Sequence, residues 1–137
     1  MKGGRVSTGG IAVVVLIQQF VGFIWYSPFL FGNLWLDHVG KSVEVLQRAG
    51  LMPYLISTLG AILLCYILSK LIYAAEARTA NEGLKLGFLC WLGFVLPVIA
   101  VLYAFAGRSL ELIFIDSGYF LVNLCLAGTI LAAMRID

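Results

Sequence analysis

Charge is confined to short intervals of this chain, and that confinement decides what it can fold into. No Asp, Glu, Lys or Arg occurs in residues 6–36, 49–69, 86–107 or 117–134. A helix needs roughly 20 mostly apolar residues to cross a hydrocarbon core about 30 Å thick, because each residue rises about 1.5 Å. All four stretches meet that length, the last if it starts a few residues earlier. Backbone donors and acceptors find no water in lipid, so runs of this kind become helices. Composition agrees. The chain is 62% hydrophobic and 12% charged over 137 residues, where a soluble domain is about 45–50% apolar and about 25% charged. One soluble core of this size cannot hide so much apolar surface. The expected fold is an all-α integral membrane four-helix bundle in one domain.

Punctuation residues place the spans near residues 10–26, 53–71, 83–105 and 110–134. Ser27-Pro28 ends the first, because proline lacks a donor and turns the preceding residue away from helical geometry. Pro53 suits the first turn of the second, where its missing N–H costs nothing. Pro97 should kink the third rather than end it, since apolar sequence continues on both sides. Only residues 106–109 separate the third and fourth, so these two form a tight antiparallel hairpin. A retained first span is preferred over a secretory signal peptide, because no small-residue cleavage site follows the apolar run.

Residues 29–36, between the first two spans, are too apolar for an ordinary loop. With Trp25, Tyr26 and Trp35 close by, they read as an interfacial segment, since Trp and Tyr favour headgroup depth. Residues 37–50 mix Asp37, Lys41, Glu44 and Arg48 with Val43, Val45 and Leu46 and read as one short amphipathic surface helix.

Two stretches carry a family resemblance. One is Gly22-Phe23-Ile24-Trp25-Tyr26-Ser27-Pro28-Phe29-Leu30-Phe31-Gly32, followed by Trp35. The other is Gly107-Arg108-Ser109-Leu110, continuing through Ile115-Asp116-Ser117-Gly118-Tyr119 to Gly128. Together they resemble the DUF1761 family of small, mostly bacterial four-span membrane proteins. The resemblance implies an integral membrane protein of uncharacterised function and supplies no activity, substrate or catalytic residue; the expected location is the bacterial inner membrane. Such proteins often carry Asn at the position of Asp116 and His at that of Phe120. This chain departs at both, which weakens any proton relay built on an imidazole there.

Motifs of soluble enzymes are missing: no phosphate-binding GxxxxGK, no GxSxG, no HExxH. His38 is the lone histidine, and Cys65, Cys90 and Cys125 sit in apolar runs without a CxxC pair, so no catalytic residue, metal site or cofactor is expected. The net charge of +2 is too small to point to nucleic acid. Polar groups inside the spans are the remaining lead, because they are costly in hydrocarbon and usually face protein or water. Asp116 and Asn123 lie seven apart on one helical face, with Tyr119 and Phe120 between them. Gln18 and Gln19 sit mid-way along the first span, and Gln19, Gly22 and Tyr26 are read as one face toward Asp116. Trp25, Tyr26, Ser27, Pro28 and Trp35 form the interfacial motif. Arg108 is expected near Glu111 or Asp116. Ser57, Gly60 and Ala61, and Gly83 with Gly87, look like faces for close helix contact.

Two functions lead, ahead of a membrane enzyme acting on lipids with Asp116 as the base, which lacks a second catalytic group. In the first, the polar face belongs to an oligomeric channel or transporter component for an ion or small solute, with the pathway between subunits. In the second, it holds helices together in a scaffold, lipid-binding or accessory subunit. Membrane lipid is a partner in both. Orientation follows from loop charge. Lys2, Arg5, Lys70, Arg78, Lys85 and Arg135 fall on the side of the termini, against Lys41, Arg48 and Arg108 on the other, so the positive-inside rule puts both termini in the cytoplasm. Reporter fusions at the C-terminus and within residues 74–81 should therefore read cytoplasmic and a fusion at Gly107 external; a cytoplasmic signal at Gly107 contradicts this topology.

Overall fold

The computed structural model describes residues 7–136. Lys2 and Arg5, which count toward the orientation, lie outside them. The described residues form helices α1 (Thr8–Trp25), α2 (Gly32–Val39), α3 (Val43–Gln47), α4 (Met52–Ala74), α5 (Ala80–Cys90), α6 (Leu96–Phe105) and α7 (Leu110–Ala133), with a π-helical turn at Trp91–Val95 joining α5 to α6. The chain is an all-α integral membrane four-helix bundle: Thr8–Trp25, Met52–Ala74, Ala80–Phe105 and Leu110–Ala133 are each long and apolar enough to cross a bilayer.

Helix ends follow from side chains that satisfy the first free N–H groups. Ser7 Oγ accepts from Gly10 N at 3.0 Å, Ser42 Oγ from Val45 N at 3.3 Å, and Ser109 Oγ from Leu112 N at 3.3 Å. The third long helix starts at Ala80, earlier than the expected residue 83. Thr79 Oγ1 accepts from Glu82 N at 3.2 Å, while Glu82 Oε2 accepts from Thr79 N at 3.0 Å. This reciprocal capping box draws Ala80, Asn81 and Glu82 into the helix. Pro97 stands in the first turn of α6, directly after the π-helical turn. The wider turn relieves the clash that a proline ring makes with the carbonyl four residues earlier.

Residues 37–50 differ from expectation. They do not form one amphipathic helix. Helix α2 begins at Gly32 and stops at Gly40, whose φ of 69° is left-handed, and Ser42 then caps the short α3. A glycine takes that φ without a Cβ clash and so splits the segment.

Helix α7 is the centre of the bundle. It packs on α1, α4, α5 and α6 and also meets α2. Its closest neighbour is α5, and glycines are the reason. A Cβ on Gly83 would overlap the Gly128 carbonyl oxygen, one on Gly87 the Leu124 oxygen, and one on Gly128 the Gly83 oxygen. Backbones in such contact gain dispersion and Cα–H···O interactions that larger residues forbid. Helix α1 contributes Gly10, Val14, Val15 and Gln18 to the interior.

Helix α4 is seated at one end only. Its buried residues, Cys65, Leu68, Ser69 and Ile72, all lie in its second half, whereas residues 51–57 are exposed throughout. The small-residue face expected to meet a helix through Ser57, Gly60 and Ala61 therefore does so only at its inner edge. Ala61 packs against the core, but Ser57 and Gly60 are exposed, and a Cβ on Gly60 would touch nothing within 4 Å.

The glycine seam can be checked by thermal unfolding in detergent. Gly128→Val should cost about 3 kcal/mol or more, because the overlap is with backbone and cannot be relieved by a rotamer change. Gly60→Ala should leave the midpoint unchanged or slightly raised.

Candidate functional site

The stretch Trp25-Tyr26-Ser27-Pro28 with Phe31-Gly32 folds into a tight corner between α1 and α2. Ser27 is its pivot. Its hydroxyl donates to the Ile24 carbonyl at 2.7 Å and accepts from Phe29 N at 3.3 Å, while its carbonyl accepts from Leu30 N at 3.1 Å and Gly32 N at 2.9 Å. Pro28, which has no N–H to satisfy, occupies the exposed turn. Gly32 is buried, and a Cβ there would overlap the backbone of Tyr26 and Ser27. The Trp25 and Phe31 rings meet with centroids 4.7 Å apart.

From this corner two aromatic side chains reach α7. Trp25 Nε1 donates to the Ile115 carbonyl at 3.0 Å. The Tyr26 hydroxyl donates to Asp116 Oδ1 at 2.6 Å, and the Tyr103 hydroxyl of α6 donates to Asp116 Oδ2 at 2.7 Å. Both carboxylate oxygens are thus engaged, by hydroxyls from the α1–α2 corner and from α6. These are short, charge-assisted bonds when the carboxylate is ionised. Tyr26 also packs edge-on against Trp35, at 5.7 Å, and Tyr119, at 5.4 Å. Arg108 pairs with neither Glu111 nor Asp116 as expected. It lies over the Tyr103 ring at 5.5 Å, and His38 Nδ1 lies 3.9 Å from Glu111 Oε2. Trp35, Lys41, Tyr103, Arg108 and Asp116 line a cavity of about 470 Å³ at this end of the bundle.

The mid-membrane polar groups form a separate junction. Gln18 is 2% exposed. Its Nε2 donates to the Asn123 carbonyl at 3.4 Å, and its Oε1 accepts a long contact from Cys65 Sγ at 3.9 Å. One glutamine thereby links α1, α7 and α4. The face of α1 that meets α7 runs through Gly10, Val14, Gln18, Gly22 and Trp25, so Gln18 rather than Gln19 is in register. Four-residue steps drift by only about 40° on a helix, which keeps Gln18 above Gly22. Gly22 leaves room for the Tyr119 hydroxyl, which a Cβ would meet at 2.9 Å. Gln19 Nε2 and Asn123 Oδ1 are buried without a hydrogen-bond partner among the described residues.

Asn123, Gln18, Tyr119 and Phe120 line a second cavity, of about 600 Å³, closed on its other side by Met52, Ile56, Ser57, Gly60 and Ala61 of α4. It fills the wedge left where the first half of α4 stands away from α7. Asp116 does not line it. The single face read from Asp116 through Tyr119 to Asn123 therefore opens to two different cavities.

A match to one known family covers the corner, the hairpin and all four long helices. Residues 10–132 match the model of that family, described as "Protein of unknown function (DUF1761)". The chain belongs to the DUF1761 family. No curated protein and no solved structure matches it.

In this DUF1761 chain the Trp25-Tyr26 corner acts as a structural clamp onto α7. Tyr103 is the partner of Asp116 that the sequence reading missed. The signal was present: a four-residue hairpin loop sets the end of α6 against the first turns of α7. If the clamp depends on the shared carboxylate, Tyr26→Phe and Tyr103→Phe should each lower stability by about 1–2 kcal/mol. The double variant should lose more than the sum, because the last hydroxyl on a partly buried carboxylate is the costliest to remove. Strict additivity in thermal unfolding would contradict a shared site.

Proposed function

We propose that this chain binds a lipid-like amphiphile, one with an apolar body and a hydrogen-bond donor, in the cavity between α1, α4 and α7. The observation that carries the reading is Asn123, a residue 3% exposed that lines an otherwise largely apolar wedge and whose Oδ1 has no hydrogen-bond partner among the described residues. A buried amide oxygen without a donor costs about 1–3 kcal/mol, and a ligand hydroxyl or amine would offset it. The volume of about 600 Å³ lies in the range of small-molecule sites, about 300–1,000 Å³. The exposed first half of α4 is the side from which an acyl chain would enter.

Transport is the reading that the sequence favours, and the arrangement supports it less. Asp116 and Asn123 do not share a cavity, and the Tyr26–Tyr119 ring contact stands between them. One observation still speaks for an oligomer: Ser57 and Gly60 present a bare small-residue face, the kind on which a helix of a second copy could seat.

Binding of a dansyl-labelled long-chain alcohol to the purified protein in detergent tests the proposal. The wild type should bind one equivalent. Ala61→Phe, which fills the wedge, and Asn123→Leu, which removes the acceptor, should each weaken binding about tenfold or more. Unchanged binding in Ala61→Phe would sink it. Disulfide-linked dimers from a Gly60→Cys variant, in a background with the native cysteines replaced by alanine, would instead support the seated second copy.

A further inference from the structure

The cavity beside Asp116, of about 470 Å³, has a different chemistry and stands independently of the amphiphile reading. Its walls set one carboxylate, Asp116, at the inner end, and two cations, Lys41 and Arg108, on the connecting segment and the hairpin loop. Asp116 lies six residues into α7, about 9 Å along the helix axis from Leu110. Its oxygens receive two tyrosine hydroxyls, but no cation lies within 4 Å of them among the described residues. Hydroxyls solvate a carboxylate without balancing its charge, and a charge at this depth is costly until a counter-charge arrives. The aromatic rings of Tyr103 and Trp35 line the same space, and ring faces attract organic cations. Arg108 is turned onto the Tyr103 ring rather than onto Asp116, which leaves its guanidinium available for an anion.

From this arrangement we infer that the cavity lined by Asp116, Tyr103, Trp35, Lys41 and Arg108 binds a small molecule carrying an ammonium group a few bonds from a phosphate. The ammonium sits at Asp116 and the rings, and the phosphate at Lys41 and Arg108. Two cations against one carboxylate leave the walls with an excess positive charge. A phosphate monoester, with a charge of about −1.5 to −2 at neutral pH, joined to one ammonium matches that excess. Charge order along the cavity matches as well, with the carboxylate deep and the cations nearer the mouth. The same ammonium–phosphate pairing exists in a phospholipid headgroup, where the phosphate is a singly charged diester and matches the charge of the walls less fully than a free monoester.

Calorimetry on the full chain in phosphatidylglycerol nanodiscs, which contain no amine, tests the site with phosphoethanolamine as the probe. Phosphoethanolamine should bind at least tenfold more tightly than ethanolamine or inorganic phosphate alone. Asp116→Asn should remove the advantage over inorganic phosphate, and Lys41→Gln with Arg108→Gln should remove the advantage over ethanolamine. The charge variants at the mouth keep the Asp116 clamp, so a folding defect in Asp116→Asn does not leave the question open. Repeating the titration in phosphatidylethanolamine nanodiscs separates the sources: weakened apparent binding marks the lipid headgroup as an occupant, and unchanged binding marks the free solute. No binding of phosphoethanolamine, or binding no tighter than either half, overturns the inference. So does equal binding by the wild type and the mouth variants. Ala61→Phe, which alters the other cavity, should leave this titration unchanged.

Discussion

Backbone contact between α5 and α7 is the constraint on which the rest of the molecule depends. Gly83, Gly87 and Gly128 let two helices touch carbonyl to Cα, and that contact fixes α7 as the post around which the others are arranged. Lipid offers no hydrophobic drive for helices to associate, so close packing and interhelical hydrogen bonds must supply it. The seam supplies the first. The second comes from a few polar side chains: Trp25 to Ile115, Tyr26 and Tyr103 to Asp116, Gln18 to Asn123, and Trp91 Nε1 to the Ser117 carbonyl at 2.7 Å. All of them end on α7.

Because α7 is held on so many sides, α4 can be held on few. Its second half buries Cys65, Leu68 and Ile72 against the core, and its first half stands apart. The wedge follows from this imbalance. Larger side chains at Ser57, Gly60 and Ala61 would have filled it, and small ones keep it open. At the same end of the bundle, the Ser27 corner brings α2 back against α7 and encloses the space beside Asp116.

Much of this was legible in the sequence. Uncharged runs of sufficient length announced four helices, and Ser27-Pro28 announced the break after Trp25. The glycines at 83 and 87 pointed to close contact, although nothing local named Gly128 as their partner. Asp116 and Asn123 were recognisable as costly in lipid. What the sequence could not say was which groups answer that cost. Helical periodicity gives a face only to within a residue, so Gln18 and Gln19 were both candidates, and it is Gln18 that reaches Asn123. The partner of Asp116 on α6 depends on how the hairpin closes, which is a tertiary property. The division of one polar face between two cavities depends on the tilt of α4, which leaves no mark in local composition. The split at Gly40 was missed because mixed charged and apolar residues fit one amphipathic helix as well as two.

The central claim is that α4 stands off from α7 in its first half and that a lipid-like molecule occupies the wedge. A density map of the protein in lipid nanodiscs tests it most directly. The account predicts elongated density between α4 and α7, ending within hydrogen-bond distance of the Asn123 amide. A map in which residues 52–60 close directly onto Tyr119 and Asn123, leaving no such space, would contradict it.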